Sequence, residues 1–412
     1  MMRRLQRGRP DLMIGAALAV GFAARLIAVV AVDGTGLSSA LRGGDETTFL
    51  NQAQPLAMLP FSSAEWITEI TTKLHVALFA GQIRLLDATP TAMRMVQIAI
   101  AMAGLMLLAA AVHDLAGARA ARLAAWVLML EPAGVFFNSA LHKEPLMLLA
   151  SGTIVYGGVR LWRNLDLRGI AILAVGGTIG VCTRPYAGWF LVSACVLLVL
   201  HAAFRRLDRP LRAMPAIYAV ALIGFLVFPT LVDVSSNESL ETLQSSQTAN
   251  TDPAAQARST GSNANNLALE HVDYSSREQV ALNLPKRAID VLTKPYPWQL
   301  ANPSQALGAV GSVAALTGLI MLLGYGWRAR GRIFAVTGPF LYPLMFLLMA
   351  YSLSAGNAGT GFRYRTHIVT LSLAMLLTLR SVVLERRSRA TVAARPLAGT
   401  EAPARALATP LT

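Results

Sequence analysis

Four short polar clusters interrupt an otherwise apolar chain, and each holds side chains that could bind or transfer a charged group. The first is Arg42-Gly43-Gly44-Asp45-Glu46-Thr47-Thr48-Phe49. Two glycines permit tight backbone geometry just before adjacent carboxylates. A carboxylate at the mouth of an apolar bundle is raised by desolvation or kept ionised by a cation, and either state suits a general base acting on a hydroxyl. The second cluster is Asn138-Ser139-Ala140-Leu141-His142-Lys143-Glu144-Pro145. Lysine is rare in this arginine-rich chain, and Lys143 could bind phosphate as a point charge. His142 and Glu144 flank it as polar candidates for touching substrate. Glu144 before Pro145 equally fits the acidic first turn of a proline-started helix.

The third cluster is Thr183-Arg184-Pro185-Tyr186, a tight turn. The fourth is Gly359-Thr360-Gly361-Phe362-Arg363-Tyr364-Arg365. Guanidinium groups grip phosphate bidentately, so Arg184, Arg363 and Arg365 are candidate phosphate ligands, with Tyr364 beside them. The plainer alternative for this cluster is interfacial anchoring by Arg and Tyr. Arg25, Glu131 and Arg380 also fall in or near apolar segments, where ionisable groups are expensive. The histidines have no ligand spacing, so no metal site is expected. Cys182 and Cys195 read as small core residues.

The elements that must position these clusters are membrane helices. Of 412 residues, 54% are hydrophobic and 14% charged, with a mean hydropathy of +0.50. A soluble protein of this size would be about a quarter charged. The apolar residues fall in runs long enough to cross a hydrocarbon core, which excludes a soluble enzyme and an outer-membrane barrel of alternating strands. The sequence predicts an all-α polytopic membrane protein with about ten transmembrane helices. They lie near 12–32, 95–112, 120–137, 145–161, 169–183, 188–204, 214–232, 305–326, 333–352 and 366–384. The first is read as a retained helix, because its apolar stretch is too long for a signal peptide.

The net charge of +14 has a topological explanation. The N-terminus and alternate loops carry about 21 of the 36 basic residues and about 6 of the 22 acidic ones, which places both termini in the cytoplasm by the positive-inside rule. Nucleic acid is not needed to account for it. The predicted cytoplasmic loops are short and hold no glycine-rich phosphate loop, so they leave no room for a nucleotide-binding domain. Mass concentrates outside, in loops at about 33–94 and 233–304. In the first, Ser62-Ser63-Ala64-Glu65-Trp66 begins an amphipathic stripe running to Ile83, which predicts a helix lying on the membrane surface. In the second, 235–266 is so polar that it is expected to be mobile. The multi-span domain covers 1–385, and 386–412 reads as a disordered cytoplasmic tail.

The order of these clusters resembles the bacterial membrane glycosyltransferases of the GT-C fold, the group containing protein O-mannosyltransferases and the lipid A aminoarabinose transferase. The resemblance starts at Gly43-Gly44-Asp45-Glu46, where that family keeps its catalytic acid in the first outer loop. It passes through Lys73 to Leu86, Leu115 to Ala121 and Leu130-Glu131-Pro132. It continues with Ser139 to Glu144, similar to the family's Lys-acid pair before span four, and ends at Gly359 to Arg365. The family's His-Pro-Pro signature is missing, which leaves sugar and acceptor unassigned.

The resemblance implies a polyprenyl-phosphate sugar donor in the outer leaflet of the cytoplasmic (inner) membrane, and a glycan, lipid or protein acceptor of the cell envelope. Asp45, or else Glu46, would take the proton from the acceptor hydroxyl as it attacks the anomeric carbon with inversion. Lys143, Arg184, Arg363 and Arg365 would hold the leaving phosphate, and no cofactor is implied. Two rivals remain in the sequence: an O-antigen ligase or polymerase using diphosphate-linked glycan, and a lipid-linked sugar transporter or flippase. The first predicts that Asp45→Asn is tolerated. The second predicts internal repeats, which the sequence lacks.

Overall fold

A computed structural model of the chain describes residues 11–33, 38–205, 277–294, 296, 298, 303–329, 333–354 and 358–393. Among them the secondary structure is helical with no strand. Six stretches are long and apolar enough to cross a membrane: Leu12–Asp33, Pro90–Ala116, Pro185–Phe204, Ala309–Arg328, Val336–Ser354 and Arg363–Glu385. The protein is a membrane-embedded, multi-pass, all-α chain. Span seven of the sequence (214–232) and the polar stretch 235–266 lie outside the described residues.

In chain order the helices are α1 (Leu12–Asp33), α2 (Ser38–Met58), α3 (Ala64–Thr72), α4 (Leu74–Leu86), α5 (Pro90–Ala116), α6 (Ala118–Met129) and α7 (Pro132–Phe137). They continue as α8 (Glu144–Asn164), α9 (Arg168–Thr183), α10 (Pro185–Phe204), α11 (Arg277–Thr293), α12 (Pro303–Arg328), α13 (Ile333–Ser354) and α14 (Ala358–Ala393). The final helix thus runs on past residue 386, where the sequence predicts the tail to begin.

Three local expectations change. Arg42 to Phe49 is not a glycine turn; it lies within helix α2. The amphipathic stripe from Ser62 to Ile83 is two helices, broken at Lys73, whose φ of −143° and ψ of 56° are non-helical. The predicted span 120–137 is likewise two pieces, α6 and α7, of 12 and 6 residues. Pro132 cannot continue the helix before it, and Glu131 caps the next one by accepting from the backbone N–H of Ala133 (3.1 Å) and of Gly134. The Nη1 of Arg25 on α1 satisfies the last carbonyl of α6, Met129, at 2.8 Å. Opposite charges therefore stabilise the two ends of the break.

The main core is built from α5, α6, α8, α9, α10, α13 and α14. Helix α8 is buried along almost its whole length. It achieves this with small residues. A Cβ at Gly152 would collide with the backbone of Gly104 on α5, and one at Gly176 on α9 would meet the Ala150 carbonyl at 2.9 Å. Helix backbones that approach so closely gain dispersion contact where no hydrophobic drive separates lipid from leucine. A second, smaller core joins Ala53, Leu56, Trp66, Val76, Phe79, Met93 and Leu141, so α2, α3 and α4 form a layer on one end of the bundle. That layer is bolted to the loop 138–143.

Candidate functional site

The loop between α7 and α8 is the centre of the site. Its backbone is fixed by Ser139 N–H to the Phe136 carbonyl at 3.1 Å and His142 N–H to the Ala140 carbonyl at 2.9 Å. The next element begins at Glu144, with Pro145 in its first turn. This loop presents His142, Lys143 and Glu144 in succession, and the surrounding helices supply their partners.

Arg363, from the start of the last membrane span, donates through Nη1 to the Asp45 carboxylate and to Nδ1 of His142 at 3.0 Å. Accepting there leaves the imidazole proton on Nε2, so His142 is neutral. Burial lowers its pKa, and the Arg363 charge lowers it further. Asp45 responds in the opposite sense: burial pulls its pKa up, and the Arg363 guanidinium more than cancels this, holding the carboxyl below its ordinary range. Its side chain is still 45% exposed, so the ionised carboxylate can be reached from outside.

Glu144 is fully buried. Nη2 of Arg184 donates to its Oε1 at 3.3 Å, and Nδ1 of His142 lies 3.8 Å from its Oε2, too far for a hydrogen bond. Its backbone carbonyl meets Nε2 of His367 at 3.0 Å. Arg184 sits between α9 and α10, with its guanidinium 4.5 Å from the Tyr364 ring centroid and 5.9 Å from that of Tyr351. These two rings stack at 4.5 Å, and Tyr186 donates to the Tyr364 hydroxyl at 2.9 Å. Aromatic faces replace water around a buried cation and keep its charge available.

Lys143 is half-buried, its ammonium 5.2 Å from the centroid of the Phe49 ring. Burial lowers its pKa to about 8, with the Arg184 charge adding to the depression and Glu144 and Asp45 opposing it. Asp45, His142, Lys143, Glu144, Arg184, Arg363 and Tyr364 are thus brought together from four distant stretches of sequence.

Two expected members are placed elsewhere. Glu46 accepts from Arg94 Nε at 3.1 Å, Arg94 Nη2 at 2.8 Å and the Leu141 backbone N–H at 2.8 Å. Three structural donors thus hold its carboxylate, and Glu46 ties α2 to α5 and the loop. Arg365 donates to the Leu292 and Lys294 carbonyls, both at 3.1 Å, and to the Ser312 hydroxyl at 2.6 Å. It holds α11 and α12 instead of facing Asp45. The neighbouring residues that sequence reasoning missed are Arg94, His75, His367 and Tyr351, while Tyr186 belongs to the third cluster. Arg94 carried a signal: a cation at one end of an apolar helix is expensive unless a charge or a carbonyl pairs with it.

Among the described residues, no group of three His, Cys, Asp or Glu side chains is placed to hold a metal ion. Compared with protein-family models, curated proteins and solved structures, the chain matches none.

Proposed function

We propose that this protein is a membrane glycosyltransferase that moves a sugar from a polyprenyl phosphate to an acceptor hydroxyl at the outer face of the cytoplasmic membrane. One observation carries the reading. An ionised, accessible carboxylate, Asp45, is held by Arg363 in the same cluster as two further cations, Lys143 and Arg184. The topology that goes with it is ten spans, with both termini cytoplasmic and this cluster outside.

Such a cluster can perform a direct displacement. The donor's phosphate competes with Asp45 for Arg363, because a phosphate oxygen offers the same acceptor with more charge. Exchange of partners frees the carboxylate as the anion arrives. Asp45 then takes the proton of the acceptor hydroxyl while its oxygen bonds to the anomeric carbon. The bond from that carbon to the phosphate oxygen breaks, and the electron pair leaves with the phosphate. Arg363, Lys143 and Arg184 stabilise the charge that develops there. Their positions are set before reaction by Glu144, His142 and the tyrosine pair.

The test is reconstitution in liposomes with a polyprenyl-phosphate sugar and a hydroxyl acceptor. Wild type is expected to transfer sugar and Asp45→Asn is not. Equal transfer by the two overturns the base role, and no transfer across a broad donor panel overturns the glycosyltransferase reading.

A further inference from the structure

His75 takes no part in the displacement above, yet its position is costly. It stands at the start of α4 and is fully buried, and neither Nδ1 nor Nε2 has a hydrogen-bonding partner among the described residues. A buried polar group left unpaired is a loss of stability, and native structures keep one where a ligand, ion or water completes it.

Its surroundings say which ligand. Phe49 meets the imidazole at 4.6 Å between centroids and Phe79 at 6.3 Å, both with ring planes near perpendicular to it, at 78° and 86°. The Lys143 ammonium stands over the Phe49 ring. Phe49 follows Asp45 by four residues on α2, so both project from one face of that helix. His75 also lies within electrostatic reach of Arg184 and Glu144. Two more buried polar atoms nearby, Nε2 of His142 and Nη1 of Arg184, have no partner among the described residues. The unpartnered atoms thus belong to the same cluster as the candidate base.

The chemistry divides them. Burial, reinforced by Lys143 and Arg184, holds the His75 imidazole down at about 2, so it is neutral. A neutral imidazole has one N–H donor and one nitrogen acceptor. A phosphate oxygen wants donors only and is served by Lys143, Arg184 and Arg363. A hydroxyl both gives and takes, and it is the group that matches His75.

We propose that His75 and Phe49, with Nε2 of His142, form a subsite for the hydroxylated ring next to the donor's phosphate. His75 reads a ring hydroxyl, and the half-buried Phe49 offers its apolar ring to the sugar's C–H edge. The inference rests on the polyprenyl-phosphate donor reading and deepens it by naming the residues that distinguish a sugar-bearing lipid from a bare one.

The experiment is equilibrium binding in nanodiscs of two probes, polyprenyl phosphate and polyprenyl-phosphate hexose. His75→Phe is the variant of choice, since a phenyl ring packs between Phe49 and Phe79 and removes both unpaired nitrogens. Wild type is expected to prefer the hexose lipid. His75→Phe should leave affinity for bare polyprenyl phosphate within about twofold and erase about tenfold of the preference, as a lost neutral hydrogen bond does. Phe49→Leu should weaken hexose-lipid binding alone. An equal loss for both lipids, or an unchanged preference in both variants, overturns the proposal. A wild type that binds both lipids equally overturns it and leaves the donor reading standing. A wild type that binds neither removes the donor reading, and this inference with it.

Discussion

Arg363 donates to the carboxylate of Asp45 across 318 residues of sequence, and joins the last membrane span to the helix that follows the first. The pair is half-open: the Arg363 side chain is 21% exposed and that of Asp45 45%. Exposed pairs of this kind contribute little to stability, so the arrangement is cheap to exchange for a substrate anion. Asp45→Asn is therefore expected to leave the fold and lipid-phosphate binding intact while lowering sugar transfer by about 10²- to 10⁴-fold, the usual contribution of a general base. Binding and turnover measured on the same liposomes check this. Undiminished turnover favours an enzyme of the diphosphate-glycan type, in which the cations alone carry the reaction.

Lys143 gives the site a pH dependence. Its pKa of about 8 means that the charge which attracts phosphate is full below that value and is lost as pH rises through it. Donor affinity should fall above pH 8, and Lys143→Arg should abolish this limb, because guanidinium does not titrate there. The same depression runs the other way for stability. Between about 8 and the ordinary value of 10.5 the unfolded chain holds this proton more tightly, so folding is favoured progressively as pH rises through that window. Affinity and melting temperature measured from pH 7 to 10 should move in opposite directions.

Glu46 gives a stability prediction. Its carboxylate is buried against Arg94, whose side chain is itself only 8% exposed. Glu46→Ala leaves that cation with Asp33 alone, at 3.1 Å, and strips the Leu141 N–H of its acceptor. Removing one partner of a buried pair costs about 3–5 kcal/mol, with the lower end expected here because Asp33 remains. Thermal unfolding in detergent should show a clear loss for Glu46→Ala and a smaller one for Glu46→Gln, which keeps an acceptor for Leu141. An unshifted melting temperature would free Glu46 for the catalytic role that its sequence position suggests.

Much of the site was legible as separate clusters, because ionisable residues beside apolar spans are conspicuous. Their division of labour was not, and the cause is helical geometry. Successive residues on an α-helix diverge by about 100°, so Asp45 and Glu46, equivalent in a glycine turn, face different partners once α2 is helical. Residues two apart diverge by about 200°, which separates Arg363 from Arg365 once α14 begins at Ala358. The breaks at Lys73 and Glu131 were hidden in continuous apolar patterning, where a stripe carries no mark of interruption. Only Pro132 signalled one of them. The membrane class needed none of this detail, since run length and composition decide it.

The same divergence yields the sharpest test of the cation assignments. Arg363 faces Asp45 and His142, whereas Arg365 serves two backbone carbonyls and Ser312. Arg365→Ala takes the donor from the Leu292 and Lys294 carbonyls, which costs about 1–3 kcal/mol per buried group, and loosens α11 and α12 from α14. It should lower the melting temperature and leave the affinity of the folded fraction for polyprenyl phosphate unchanged. Arg363→Ala should do the reverse, keeping the fold and losing at least about tenfold in affinity, as expected for a charge-assisted contact of 1.5–3 kcal/mol. Two arginines separated by one tyrosine would then be told apart by two instruments, a calorimeter and a binding assay. If both variants weakened lipid-phosphate binding alike without destabilisation, Arg365 would have to turn inward in the liganded state, and the assignment of its carbonyl partners as its working contacts would be wrong.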